Sequence, residues 1–116
     1  MLERRDDYKR LYADFRWQIP DRFNIGAAVA DVWAARDPER IALYQHNLEG
    51  APDELTFGEL ARRSNAVANG LRTLGVRRGD RVALLLPQCF ETAIAHIAIY
   101  KLGAIAVPLA LLFGVE

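Results

Sequence analysis

The residues with the most chemical potential in this chain are its one cysteine and the acid that follows it. Cys89 follows an apolar run that Pro87 closes, and it begins a predicted helix. The helix N-terminus favours an anion there and lowers a thiol pKa. A catalytic cysteine at this strand-to-helix junction is one hypothesis, and a small buried residue is the other. We favour the second because free cysteine is usually buried. Glu91 favours the helix start through the same dipole.

The two histidines, His46 and His96, do not form a recognisable metal site. His46 is in or near a predicted hairpin loop and His96 is on a predicted helix, and no ligand pair has the spacing of known zinc sites. We therefore predict no metal site, and we expect His96 to be a hydrogen-bonded core or partner-facing residue. Trp17, Trp33 and the tyrosines lie among apolar neighbours at helical spacing, which predicts core positions rather than a ligand-stacking platform.

The eight glycines are scattered along the chain and form no phosphate-binding loop. Neither the spaced glycine triplet nor the Gly-Lys-Ser/Thr signature is present. Gly70 lies inside a predicted helix, where it costs about 1 kcal/mol relative to alanine, and its presence there predicts close packing against another element. We assign no catalytic, cofactor-binding or metal-binding residue from these patterns.

Composition indicates one small globular domain with balanced charge. The 116 residues are 52% hydrophobic and 26% charged, with 15 basic and 15 acidic side chains, so a nucleic-acid surface is not expected. A single cysteine excludes an internal disulfide, and a charged N-terminus replaces the apolar core of a signal peptide; both predict a cytoplasmic location. The longest apolar stretch, 104–113, is shorter than the roughly 20 residues of a membrane span.

The elements that must position these residues are clearest in the last third of the chain. Two short apolar runs, Arg81–Leu86 and Ala104–Leu109, flank a predicted helix from about Cys89 to Leu102. Two buried strands joined by a helix predict a βαβ unit of a parallel sheet. The helix is apolar around nearly its whole circumference, which indicates burial on more than one side. We therefore expect the front part of a larger enzyme.

A capped helix is predicted immediately before this unit. Thr56 and Glu59 form a capping box, and Gly75 supplies the left-handed residue that ends a helix. Apolar residues keep the 3.6-residue period between them for about five turns. The predicted apolar face comprises Phe57, Leu60, Ala61, Ser64, Val67, Ala68, Leu71 and Leu74.

Further upstream, two strands and two helices are predicted. Ile41–Gln45 and Leu55–Phe57 are expected to pair as a small β-hairpin, and Tyr8, Leu11, Tyr12 and Phe15 mark one face of a short helix. A second helix, Ile25–Arg36, is capped by Asn24, with a predicted apolar stripe of Ala28, Val29, Val32 and Trp33. The predicted fold class is α/β: a partial parallel sheet with a βαβ unit, covering helices and the hairpin. Residues 1–24 form an N-terminal helix and extended segment, and residues 25–116 an incomplete α/β subdomain.

An ordered set of short segments resembles the opening of the adenylate-forming superfamily, which includes acyl-CoA synthetases. The earlier part of the chain, residues 15–33, looks like the acetyl- and medium-chain acyl-CoA synthetase branch. The segments that carry the resemblance are Leu55–Ala61, Leu71–Gly75, Gly79–Pro87, Glu91 and Lys101–Leu109.

The resemblance implies a parent enzyme of several hundred residues that uses ATP, Mg and CoA to convert a carboxylic acid to its acyl-CoA, with AMP and pyrophosphate as products. The phosphate loop ending in Lys, the ribose-binding Asp, the hinge and the C-terminal catalytic Lys of the family have no counterpart in these 116 residues. No catalytic residue is therefore carried over. Phe113–Gly114 lies nearest the region that approaches the CoA nucleotide in some members, but we favour the interpretation that it is a loop.

Two functional hypotheses follow. In the first, the chain is the N-terminal structural portion of an ATP-dependent acyl-CoA synthetase, inactive alone, whose partner is the remainder of the parent chain. In the second, it is a small α/β binding module without catalysis. In both, uncovered apolar surface predicts self-association.

Overall fold

The computed structural model describes residues 6–46 and 50–112. Within them the chain alternates helices and short strands in the predicted order, which confirms the α/β class. The elements are helix α1 (Tyr8–Asp14), a π-helical turn (Ala27–Asp31) that continues as helix α2 (Val32–Arg36), strands β1 (Ile41–Gln45) and β2 (Asp53–Thr56), helix α3 (Phe57–Thr73), strand β3 (Arg81–Leu84), helix α4 (Phe90–Lys101) and strand β4 (Ile105–Pro108).

The described strands form two separate two-stranded sheets. β1 and β2 pair antiparallel with an irregularity after Ile41, and this confirms the predicted hairpin. β3 and β4 pair in parallel, with Arg81 opposite Ile105 and Leu84 opposite Pro108. Because α4 connects the two parallel strands, the predicted βαβ unit is also confirmed.

Helix α3 begins and ends as its sequence predicts. The Thr56 hydroxyl accepts from the Glu59 amide at 3.2 Å, and the Glu59 carboxylate accepts from the Thr56 amide at 3.3 Å. At the other end Gly75 has φ of +95°, and the Val76 amide donates to the Leu71 carbonyl at 3.0 Å. This is the Schellman arrangement, which satisfies carbonyls at the helix end. On the predicted apolar face, however, Val67 and Leu74 are exposed.

Helix α4 is the centre of the molecule, as its apolar circumference predicts. Ile94, Ala98 and Ile99 are at most 3% exposed. One core cluster joins Ala30, Leu55, Leu60 and Ile94, and a second joins Leu84, Ile99 and Ala104. Since α4 contributes to both clusters, it fixes the βαβ unit against α3, the π-helical turn and the hairpin.

The predicted apolar stripe of the second helix is wrong in its phase. Val29 and Val32 are 44% and 45% exposed, whereas Gly26 and Ala30 are buried. The buried face is set by two small residues, because Gly26 lies against α4 and Ala30 packs in the core cluster with Leu60 and Ile94. A π-helical turn follows Gly26, and in it the Val32 amide donates to the Ala27 carbonyl.

The expectation that the tryptophans and tyrosines are core residues is also wrong for most of them. Trp17 is 80% exposed, and Tyr8, Tyr12 and Tyr44 are 65–76% exposed. Helix α1 keeps the predicted period but has no buried residue, since no other described element covers it. Trp33 is 37% exposed and stacks on Phe57 at 5.8 Å between ring centroids.

The predicted close packing at Gly70 is wrong, and the close approach occurs at Gly26 instead. A Cβ on Gly70 would meet no atom within 4 Å. A Cβ on Gly26 would lie 2.7 Å from the Ile97 carbonyl oxygen and 2.7 Å from both the amide nitrogen and Cγ of Lys101. Only glycine at position 26 therefore allows the segment that begins the second helix to approach α4 so closely.

Candidate functional site

The candidate residues Cys89 and His46 line one groove between β1 and the start of α4. The groove has a volume of about 450 Å³. Cys89 is only half-buried, not fully buried as expected, and His46 is exposed. The lining residues are Leu43, Tyr44, Gln45, His46, Gln88, Cys89, Phe90, Thr92 and Ala93.

The polar groups of the groove are engaged in holding α4. The Gln45 side-chain oxygen accepts from the Phe90 amide at 3.0 Å, so a residue of β1 satisfies the first turn of α4. Cys89 Sγ lies 3.6 Å from the Thr92 hydroxyl, which donates to the Pro87 carbonyl. His96 Nδ1 lies 2.9 Å from the Thr92 carbonyl oxygen. The expectation of a hydrogen-bonded His96 is thus confirmed, and His96 lies outside the groove lining.

Glu91 is the acid of this region, and its pKa lies below the ordinary value. The largest cause is a hydrogen bond from its own backbone amide, followed by the Cys89 thiol and the Arg63 guanidinium. Arg63 Nη2 lies 2.8 Å from Glu91 Oε1 and links α3 to α4. The start of α4 therefore already carries a carboxylate that is paired with Arg63. The polar contacts in and beside the groove hold α4 to β1 and α3, which is a structural role.

The strongest polar cluster surrounds Lys101, at the end of α4. Its Nζ donates to Asp31 Oδ1 at 2.6 Å and to Asn65 Oδ1 at 2.8 Å. The Lys101 side chain is 8% exposed. Asn24, predicted as a helix cap, accepts from the Ala27 amide at 3.0 Å and also donates to the Lys101 carbonyl at 2.9 Å.

This cluster ties three helices together, and a sequence signal for it existed. Asp31 lies in the otherwise apolar run Gly26–Trp33, and Lys101 ends an apolar helix. A buried ammonium needs a carboxylate or several acceptors. Two isolated charges of opposite sign in apolar segments therefore predict an ion pair between Asp31 and Lys101. Lys101 is one of only two lysines in the chain, and its ammonium is committed to the fold.

A larger cleft of about 1150 Å³ lies between the segment after α1 and the end of α4. Arg22, Phe23 and Asn24 line one side, and Arg78, Tyr100 and Gly103 line the other. Arg78 packs against Gly103, whose φ is +68°. The cleft is open and its lining mixes polar and apolar residues, so we interpret it as the boundary between two chain segments rather than as a pocket for one ligand.

Two classes of feature are not found in the part of the chain that the structure describes. Across residues 6–46 and 50–112, no three His, Cys, Asp or Glu side chains group closely enough to hold a metal ion. Within the same ranges no helix has the length and apolar character needed to cross a membrane. Phe113–Gly114, which the resemblance places nearest the region that approaches the CoA nucleotide in some members and which we interpret as a loop, lies outside the described residues.

The fold matches that of adenylate-forming ligases. Acetoacetyl-CoA synthetase from Streptomyces lividans superimposes with a TM-score of 0.71 and 34% identity, over 77% of this chain and 14% of that chain. The fatty acid AMP ligase of Legionella pneumophila matches with a TM-score of 0.70 and 26% identity, over 77% and 15%. The N-terminal subdomain of Klebsiella oxytoca NpsA matches with a TM-score of 0.67 and 28% identity, over 78% and 22%.

Residues 30–116 match the family model described as AMP-binding enzyme, and the chain belongs to this family. An acetyl-coenzyme A synthetase of Phycomyces blakesleeanus is 37% identical over 79% of this chain. The propionate–CoA ligase of Escherichia coli K12 is 38% identical over 78% of it. The chain spans about 14% of the length of each of these relatives. The resemblance to the adenylate-forming superfamily is thus confirmed.

Proposed function

We propose that this chain is the N-terminal structural portion of an ATP-dependent, AMP-forming acyl-CoA synthetase. The observation that carries the proposal is the 37–38% identity to an acetyl-coenzyme A synthetase and a propionate–CoA ligase over nearly four-fifths of the chain. Its fold matches ligase structures over the same share of its length. The proposed role is to supply one βαβ unit and its covering helices to the large domain.

The reaction proposed for the whole enzyme proceeds in two transfers. A carboxylate oxygen of the acid attacks the α-phosphorus of ATP, and the bond to pyrophosphate breaks. The acyl-adenylate then accepts the CoA thiolate at its carbonyl carbon, and AMP leaves. The first transfer is needed because a carboxylate becomes a good electrophile only when its oxygen carries a leaving group such as AMP.

We propose that the 116-residue chain does not catalyse these steps alone. Phosphoryl transfer requires positioned cations and amide donors that stabilise charge on the transferring group. The sequence holds no Ser/Thr/Gly-rich loop that ends in Lys, and the buried Lys101 is held by Asp31 and Asn65. Among residues 6–46 and 50–112, no three His, Cys, Asp or Glu side chains group closely enough to hold a metal ion.

A cytoplasmic location belongs to the same proposal. It is supported by the single cysteine, which excludes an internal disulfide and suits a reducing compartment.

The proposal is tested with a chimera. The segment of the Escherichia coli propionate–CoA ligase that aligns with this chain is replaced by this chain's residues, and pyrophosphate release is measured with ATP, propionate and CoA. We expect acid-dependent turnover by the chimera and none by the isolated chain or by the ligase lacking the segment. Turnover by the isolated chain, or a folded chimera without turnover, would contradict the proposal.

The alternative is a small self-associating α/β module without catalysis. It is favoured by the exposed apolar residues of α1 and of the β3–β4 sheet. Sedimentation velocity at several concentrations separates the two functions, because the module predicts a stable oligomer at micromolar concentration. The structural portion predicts a monomer that associates weakly and without a defined stoichiometry.

A further inference from the structure

The turn between α3 and β3 is rich in arginine. Its basic side chains are Arg72, Arg77, Arg78 and Arg81, and all four are exposed. Asp80 is the one acidic side chain within residues 72–81. The 15 basic and 15 acidic side chains of the whole chain cancel, so the excess of positive charge here is a local feature. We call residues 72–81 the arginine turn.

Backbone hydrogen bonds make the arginine turn compact. The Val76 amide donates to the Leu71 carbonyl at 3.0 Å, which folds the chain back across the end of α3. The Asp80 amide donates to the Arg77 carbonyl at 3.1 Å, and Gly79 has φ of +87°. This is the left-handed angle that a type II turn requires at its third residue. Two tight turns in succession therefore hold the four arginines within a short stretch of surface.

The four guanidinium groups have no carboxylate partner within the part of the chain that the structure describes, where the ion pairs involve other residues. Asp80 is committed to the turn itself, because its carboxylate accepts from the Arg77 backbone amide at 2.7 Å. Arg72 donates to the neutral side chain of Asn69 at 3.1 Å. The arginine turn therefore presents positive charge that an external anion can neutralise.

One large apolar side chain lies among these charges. Leu74 caps the end of α3 and is 83% exposed, and Gly75 follows it with φ of +95°. Apolar surface is stabilised when it leaves water. The same stretch of surface therefore suits two kinds of group at once, which are anionic oxygens for the guanidinium groups and hydrocarbon for Leu74.

An anionic phospholipid surface supplies both groups. Guanidinium binds phosphate oxygens through bidentate hydrogen bonds, and an exposed apolar side chain is buried at the boundary between headgroups and acyl chains. A nucleic-acid backbone supplies phosphates but no hydrocarbon for Leu74. Anionic lipids of the cytoplasmic leaflet attract basic clusters that lie close to the membrane surface, which agrees with the cytoplasmic location proposed above.

We propose that the arginine turn docks this protein on an anionic phospholipid surface. The guanidinium groups contact the lipid phosphates, and Leu74 enters the headgroup layer. The binding is peripheral, since within residues 6–46 and 50–112 no helix has the length and apolar character of a membrane span. The inference goes beyond the proposed synthetase function and does not depend on it, because vesicle binding requires no turnover.

Sedimentation with lipid vesicles tests the proposal. The 116-residue chain is mixed with vesicles of phosphatidylcholine, either alone or with about 30% phosphatidylserine to give an anionic surface. We expect binding to the anionic vesicles and at least about 100-fold weaker binding without phosphatidylserine. Arg77→Gln combined with Arg81→Gln should weaken binding to the anionic vesicles about 25-fold, at about fivefold for each arginine.

The matched control removes the same charge elsewhere, by Arg10→Gln on α1 combined with Arg62→Gln on α3. Arg62 precedes Arg72 by about 15 Å along the helix, and charges at that separation are largely screened at about 0.1 M salt. We therefore expect the control variant to bind vesicles like the wild type. An equal loss in both double variants would overturn the inference, because total charge rather than the arginine turn would then govern binding.

Leu74 distinguishes a lipid surface from a soluble polyanion. Leu74→Ser should weaken vesicle binding about fivefold, because an apolar contact is lost, and it should leave retention on heparin unchanged. If the arginine variant loses vesicle binding and Leu74→Ser does not, the arginine turn binds phosphate groups such as those of a nucleic acid, and the lipid proposal is wrong. Equal binding to vesicles with and without phosphatidylserine would also overturn it. Circular dichroism of each variant establishes that it is folded.

Discussion

Two glycine-to-alanine substitutions should change stability in opposite directions. Gly26 and Gly70 both lie in helices with right-handed backbone angles, so Gly26→Ala and Gly70→Ala make the same chemical change in the same local conformation. Alanine favours a helix by about 1 kcal/mol over glycine. Local propensity alone therefore predicts that both variants are more stable than the wild type.

Packing reverses the sign at Gly26. The new Cβ would lie 2.7 Å from the Ile97 carbonyl oxygen and from the Lys101 amide nitrogen. Both are backbone atoms of α4, so the contact is relieved only by moving the helix. Such overpacking costs about 1–3 kcal/mol, and the shift also strains the 2.6 Å contact between Lys101 and Asp31. We expect a net loss of roughly 1–2 kcal/mol in the free energy of unfolding after the gain in propensity is subtracted.

Gly70→Ala meets no atom within 4 Å and should raise the free energy of unfolding by about 0.5–1 kcal/mol. Urea denaturation followed by circular dichroism measures both variants against the wild type. A difference of about 1.5–3 kcal/mol between the two is expected from these terms. A Gly26→Ala variant as stable as Gly70→Ala would refute the close approach of the second helix to α4.

Three further substitutions test the polar joints. Lys101→Met should lower the free energy of unfolding by about 1–3 kcal/mol, because it leaves the oxygens of Asp31 and Asn65 without their donor. In urea denaturation, the double variant with Asp31→Asn should lose less stability than the sum of the two single variants. A loss equal to that sum would argue against the ion pair. Gln45→Ala should lower the free energy of unfolding by about 0.5–2 kcal/mol, because it removes the acceptor for the Phe90 amide at the start of α4. Gln88→Ala, in the same groove, should change thermal stability little. Equal effects of the two substitutions would contradict the capping role of Gln45. Arg63→Gln should raise the pKa of Glu91, measured by NMR titration of its side chain, because the guanidinium contributes to lowering it. A carboxyl pKa that is lowered in the folded state stabilises the fold above the unfolded-state pKa, and this stabilisation is lost as pH falls through the folded-state pKa. If the Glu91 pKa is the same in Arg63→Gln as in the wild type, the ion pair does not form in solution.

Local signals in the sequence predicted the parts of the fold that depend on neighbouring residues. The capping box of Thr56 and Glu59 and the left-handed Gly75 are set by contacts within six residues. The βαβ unit was predictable because two short apolar runs flank one helix of suitable length. These features require no knowledge of what lies across the core.

Features that depend on distant elements were not predictable in the same way. The close approach at Gly26 is made with α4, about 70 residues away, and the small residues Gly26 and Ala30 rather than the larger apolar side chains form the buried face. Periodicity correctly identified an apolar face on α1, but it does not show whether another element covers that face. For the same reason Trp17 and Tyr44 were placed in the core and are exposed.

The candidate site shows the same division. The sequence identified Cys89 and Glu91 at the start of α4. The structure pairs Glu91 with Arg63 of α3, and the Phe90 amide between the two residues donates to Gln45 of β1. The buried Lys101 cluster was missed because its three residues lie far apart in the chain. All of these contacts hold helices together, which is consistent with a structural role in a larger enzyme.

The central claim, that this chain serves as part of an acyl-CoA synthetase, is tested most directly by the initial rate of pyrophosphate release from the propionate–CoA ligase chimera. With ATP and CoA present, the account predicts a rate that depends on added propionate and that is absent from the ligase lacking the segment. A correctly folded chimera that releases no pyrophosphate above the rate without propionate would contradict it.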